Sequence, residues 1–249
     1  MLRSEVQLLF WKEVRQLTRN TGAMLSSLFL PAVLVVLAPV LALLASRTAG
    51  YEDFLPPPLT RRLPGLEDIE TAQDFFLAVM LPTLFVLASL LAPTLSAIHT
   101  LIVERERRSL ELLLALPVLV DDVLAAKLVA NLATAMATIL PMFLVDAVVI
   151  ELLTPAGPPY LVGALFLVVS TLVASVGASL LLGLLARDLR TATTLGGTLA
   201  VLPLFLTGLC VVFVPGLARF AVLGLLMLAL GFGGVYAGIR WLTYERYVA

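Results

Sequence analysis

Charge is what this chain has least of. Asp, Glu, Lys and Arg make up 13% of its 249 residues, against 61% for the apolar set from Ala to Cys. A soluble domain is nearer a quarter charged and about half apolar. With a mean hydropathy of +1.07, the chain has more apolar surface than one water-facing core could hide. Cysteine and histidine are equally scarce. The single Cys210 has no partner for an internal disulfide and lies in an apolar run as a small packing residue. One cysteine and one histidine exclude a zinc site of the usual kind. A net charge of -1 lacks the basic footprint of a nucleic-acid binder, so no nucleic-acid partner is expected. There is no Gly-x-x-x-x-Gly-Lys-Ser/Thr stretch; Leu195-Gly196-Gly197-Thr198 lacks the lysine. If ATP drives this protein, another polypeptide must bind it. The first 20 residues are too charged to hold the apolar region of a cleavable signal, which leaves the first apolar run as the insertion signal.

What is present is a series of long apolar runs. A membrane-crossing helix needs about 20 such residues. Six stretches qualify, at roughly 25–44, 75–101, 123–150, 160–186, 192–212 and 217–239. The last two are separated only by Val214-Pro215-Gly216, which also suits a broken helical pair or a re-entrant piece. The expectation is an all-α integral membrane protein with six transmembrane helices, forming one transmembrane domain over 1–249.

Orientation follows from the basic residues. Six spans place the N-terminus, the loops after spans two and four, and the C-terminus on one side. Twelve Lys and Arg fall there and four on the other, namely Arg47, Arg61, Arg62 and Arg219. The chain is therefore expected N-in and C-in, as a multi-pass protein of a plasma (inner) membrane. The outer loop, 46–74, carries Pro56-Pro57-Pro58, a Pro64-Gly65 turn and acidic Glu67, Asp68, Glu70 and Asp74, which predict an extended arm followed by a short amphipathic helix.

Prolines interrupt several spans: Pro31, Pro39, Pro82, Pro93, Pro141 and Pro203. Each would cost about 3 kcal/mol inside a soluble helix. In a membrane bundle, neighbours re-satisfy the freed carbonyls. Kinks for packing and hinges for motion both fit.

Before the first span, Val6, Phe10, Val14 and Leu17 share one helical face, Trp11 sits at its edge, and Lys12, Arg15 and Arg19 fall largely elsewhere. This predicts an interfacial amphipathic helix over 1–21, although a soluble cap on the bundle has the same pattern.

The most informative segment is 103–118, between the second and third spans. Val103-Glu104-Arg105-Glu106-Arg107-Arg108-Ser109 meets a Leu-rich run, Leu110-Glu111-Leu112-Leu113-Leu114-Ala115-Leu116, that stops at Pro117. The run is far too short to span and reads as a short helix across the cytoplasmic membrane surface. Glu104, Arg108 and Glu111 recur on one face and can pair with each other or with a docked partner. Positive-inside arginines alone would not explain the interleaved glutamates.

This segment resembles the signature of the ABC-2 type transporter permeases, in which alternating acidic and basic residues lead through Gly-Thr-Leu-Glu into a Leu-rich run ending in Pro-Val. The counterparts are Glu104-Arg105-Glu106-Arg107, then Arg108-Ser109-Leu110-Glu111, then Pro117-Val118, with Asp121, Asp122 and Lys127 downstream. Arg108 stands where the family usually has glycine and Ser109 where it has threonine; arginine there argues against a positive-φ turn. Trp11-Lys12-Glu13-Val14-Arg15 and the closing Tyr244-Glu245-Arg246 are similar to the family's flanks. The resemblance implies the membrane half of an exporter, working as a homo- or heterodimer of permease chains on two copies of an ATPase subunit. ATP and Mg would be bound in that partner and no cofactor by this chain, which would not itself be an enzyme. Residues 104–111 and Pro117 would form the coupling helix, and the setting would be a bacterial or archaeal plasma membrane.

Inside the spans, ionisable residues are functional candidates by default. Asp146 lies in the third span with Glu151 beyond it, and is either a polar contact in a pathway or a near-interface carboxylate reaching water or a neighbouring helix. His99, at the cytoplasmic end of the second span, reads more readily as an interface histidine than as a proton relay. A gradient-driven carrier would call for several such carboxylates. A membrane enzyme would call for a nucleophile elbow or a metal cluster, and neither is present. A permease-like subunit that passes an ATPase stroke to a partner would share the coupling segment.

Overall fold

The computed structural model of the protein describes residues 11, 15, 29, 31–48, 63–67, 69, 71–97, 120–186 and 188–241, and every regular element among them is helical. A π-helical stretch, Ala32–Leu37, leads into α1 (Ala38–Thr48). The short α2 (Ala72–Phe75) continues through a second π-helical stretch, Phe76–Met80, into α3 (Leu81–Ala97). Four long helices follow: α4 (Val120–Leu153), α5 (Pro158–Leu185), α6 (Leu189–Phe213) and α7 (Ala218–Trp241). Among the described residues, five helices are long and apolar enough to cross a membrane, and the apolar part of the first, Ala32–Leu44, is shorter. The chain is a multi-span, all-α membrane protein. Helices are the available solution because a bilayer offers no water to backbone N–H and C=O groups.

The breaks follow local chemistry. Between α6 and α7, Gly216 adopts φ +59°, a left-handed conformation that costs glycine nothing. At the start of α6, the Asp188 carboxylate accepts from the Thr191 N–H at 2.7 Å, and this hydrogen bond holds its carboxyl below the usual carboxylate range.

Several boundaries differ from the sequence reading. α1 runs on to Thr48, into the expected loop, and α4 starts at Val120. With 34 residues at about 1.5 Å each, α4 is about 50 Å long, so it outruns the roughly 30 Å hydrocarbon layer. Residues 63–67 form a turn and bend, and the helix that follows begins at Ala72 as the start of the next span. No separate amphipathic helix stands there among the described residues. Gly65 is buried against the end of α6 and donates its N–H to the Val212 carbonyl at 2.9 Å. The chain is tied down at that point rather than free to coil.

α5 is the centre of the bundle. It packs most extensively on α7, and also on α3 and α4. Glycines allow the α5–α7 approach: a Cβ on Gly177 would come within 2.5 Å of the Gly231 carbonyl oxygen, and one on Gly231 within 2.9 Å of the Ala174 Cα. Between α3 and α4, the rings of Phe85 and Phe143 meet edge to face at 5.5 Å. Cys210 is buried in the same core, as expected of a packing residue. The opposite faces of α4 and α6 expose Leu144, Val148, Leu152, Val201, Leu202 and Phe205, an apolar surface of the kind that lipid covers.

Candidate functional site

The polar groups of the bundle gather at two levels. The first lies where α2 meets α3. Pro82 has no N–H, so it bonds to neither its α-helical acceptor, the Ala78 carbonyl, nor its π-helical acceptor, the Leu77 carbonyl. Leu81 already bonds in the π pattern, to Phe76. Side chains from distant helices supply the missing donors. The Tyr160 hydroxyl donates to the Leu77 carbonyl at 2.8 Å, and Arg219 Nη1 donates to the Ala78 carbonyl at 2.8 Å.

Arg219 does more than fill that vacancy. Its Nε donates to the Gly216 carbonyl at 2.7 Å and its Nη2 to the Gly65 carbonyl at 3.4 Å. One buried guanidinium thus joins the 63–67 turn, the π-helical stretch and the break before α7. A planar fork with separate nitrogens suits three carbonyls that lie apart from one another. Tyr160 is held in turn by Phe220, their rings edge to face at 5.0 Å. A Cβ on Gly65 would overlap the Val211 carbonyl oxygen, so the turn also closes on α6. Beside this clasp is a cavity of about 210 Å³ lined by Ile69, Asp74, Leu77, Tyr160, Leu217 and Arg219.

The second level lies near the opposite end. Asn131 of α4 donates from Nδ2 to the Pro93 carbonyl at 3.2 Å and to Ser179 Oγ at 3.3 Å. It pins α3, α4 and α5 together.

Between these levels sits Asp146. It is 0% exposed, and both carboxyl oxygens lack a hydrogen-bond partner among the described residues. It shares a helical face with Ile139, Phe143 and Ile150, all in the core. The reading of a near-interface carboxylate reaching water does not hold. Glu151, by contrast, is exposed.

The other expected site residues divide simply. Trp11 and Arg15 are helical and exposed. Phe10, His99, Glu104, Arg105, Glu106, Arg107, Arg108, Ser109, Leu110, Glu111 and Pro117 lie outside the described residues. Sequence reasoning missed the clasp. It counted Arg219 as a loop charge and Tyr160 as the edge of a span. The available signal was Pro82, a proline in a span that requires substitute donors, but nothing local says which donors.

Among the described residues, no group of three or more His, Cys, Asp or Glu is placed to hold a metal. A family model described as ABC-2 family transporter protein matches residues 7–230. No curated protein matches the chain.

Proposed function

The chain belongs to the ABC-2 transporter family, and from that premise we propose that it is the membrane-spanning permease subunit of an ATP-driven exporter. It is a permease and not itself an enzyme. The observation that carries this reading is the family match across most of the chain. The segment 103–118 supports it, because its charge pattern and short Leu-rich run suit docking on a separate ATPase.

In this reading the shorter first helix is also a span, so that the domain over 1–249 crosses the membrane six times with both termini in the cytoplasm. Residues 1–21 lie at the interface, with Phe10, Trp11 and Arg15 at the headgroup level. Two permease chains sit on two ATPase subunits, which bind ATP and Mg. Glu104 to Glu111 and Pro117 receive the ATPase stroke. The Tyr160–Arg219 clasp then closes the outer end and Asn131 pins the inner one, so alternating access requires one set of contacts to release while the other holds. Asp146 lies along the interior between them, and His99 near its cytoplasmic mouth.

The test is purification of the tagged chain in mild detergent from its own host, with mass spectrometry of co-purifying proteins. A stoichiometric Walker-type ATPase is expected, lost when Arg107 and Glu111 are both reversed in charge. A stable preparation without any nucleotide-binding partner, across several detergents, would count against the reading and favour a gradient-driven carrier. A subunit that passes the stroke to a partner without transport would retain the ATPase yet move no cargo in reconstituted vesicles.

A further inference from the structure

Asp146 is the one fully buried carboxyl among the described residues, and nothing donates to it. α4 packs on the Ala32–Leu37 stretch, α1, α3 and α5, the elements from which a counter-charge would have to come. Across the Ala32–Leu37 stretch and α1 the one titratable residue is Arg47, in the last turn of α1, and Phe75–Thr94 of the next span has none; no hydrogen bond reaches either Asp146 oxygen from the described residues. From α5 the only such group is Tyr160, which gives its hydroxyl to the Leu77 carbonyl. Arg219 of α7 has its nitrogens turned to the carbonyls of Gly216, Ala78 and Gly65. On α4 itself, Lys127 lies five turns away toward the other end and Glu151 is exposed.

An ionised carboxylate withdrawn from water costs several kcal/mol unless it is paired or hydrogen-bonded. Neither relief is present. A metal cation would need several further oxygen ligands. No group of three or more His, Cys, Asp or Glu surrounds the site among the described residues. A proton requires no ligand but the carboxyl.

We propose that Asp146 is a proton-binding site: its carboxyl carries a proton while α3, α4 and α5 are packed as described, and gives it up to water when that packing opens. Closing the bundle then takes up one proton per chain and opening it releases one. Alkaline conditions therefore favour the open form. The link to transport rests on the permease reading; the protonation itself does not.

The test is infrared spectroscopy of the purified protein in phosphatidylcholine vesicles, wild type against D146N, in sodium buffer at pH 7. Asparagine has nearly the shape of a protonated carboxyl and keeps the site neutral. The expected difference is the loss in D146N of one protonated-carboxyl C=O stretching band, a band that shifts in deuterated buffer. Loss of carboxylate bands instead would overturn the proposal. So would carboxylate bands that move when choline replaces sodium, which would identify a bound metal cation. Should D146N fail to fold, D146E is the second variant: it is expected to displace the protonated band, and an undisplaced band would overturn the assignment. None of these readings needs an ATPase, so failure of the co-purification leaves the test intact.

Discussion

At Pro82 a ring nitrogen with no hydrogen creates a demand that the local chain cannot meet. The one missing N–H, together with the change from π- to α-helical register at Leu81, leaves the Leu77 and Ala78 carbonyls to other donors, and an unsatisfied buried carbonyl costs about 1–3 kcal/mol. Tyr160 and Arg219 answer that demand from two other helices. Tyr160→Phe should therefore lower stability by about 1–2 kcal/mol while leaving the Phe220 contact in place. Arg219→Lys keeps the charge, but one ammonium nitrogen cannot replace Nε, Nη1 and Nη2 at three separate carbonyls. It should cost about 2 kcal/mol or more. Thermal unfolding in detergent checks both, and a lysine variant as stable as wild type would show that charge alone matters there.

Helix α5 carries much of the bundle because one side of it is built from small residues. Ala174, Gly177 and the facing Gly231 and Gly234 of α7 bring two backbones together. Two effects compete when a methyl group is added to a helical glycine. Helix propensity favours alanine by about 1 kcal/mol. Overpacking opposes it by about 1–3 kcal/mol. At Gly177 the added carbon meets backbone, which cannot turn aside, so Gly177→Ala should be destabilising. At Gly197 of α6 nothing lies within 4 Å, so Gly197→Ala should be neutral or stabilising by up to about 1 kcal/mol in the monomer. Melting temperatures of the two variants, side by side, distinguish the terms. A Gly197→Ala variant that destabilises as much as Gly177→Ala would mean that this face of α6 is covered in the assembly.

For the whole molecule, the proposed orientation makes the ends of α6 a direct test. Asp188 and Leu217 flank that helix at opposite ends. Cys210 is buried, so a Cys210→Ala background should fold with little loss and give no labelling of its own. In it, Leu217→Cys should react with a membrane-impermeant maleimide from outside intact cells, and Asp188→Cys only after the cells are opened. The reverse pattern would invert the topology and with it the assignment of the clasp to the outer end.

Apolar runs and turn chemistry are properties of neighbouring residues, so they were readable without the fold. The sequence by itself determined the all-helical membrane class, the approximate helix positions, the Val214-Pro215-Gly216 break and, through Glu104 to Pro117, the family. It also singled out Asp146, because a charged residue within an apolar run is conspicuous at any level of knowledge. Only the tertiary structure decided that Asp146 has no hydrogen-bond partner among the described residues, that Arg219 is buried and that Tyr160 reaches a carbonyl 83 residues away. The physical reason is that a helix rotates each side chain by about 100° per residue. Which neighbour it meets then depends on how several rods pack, and that packing is set by contacts far apart in the chain.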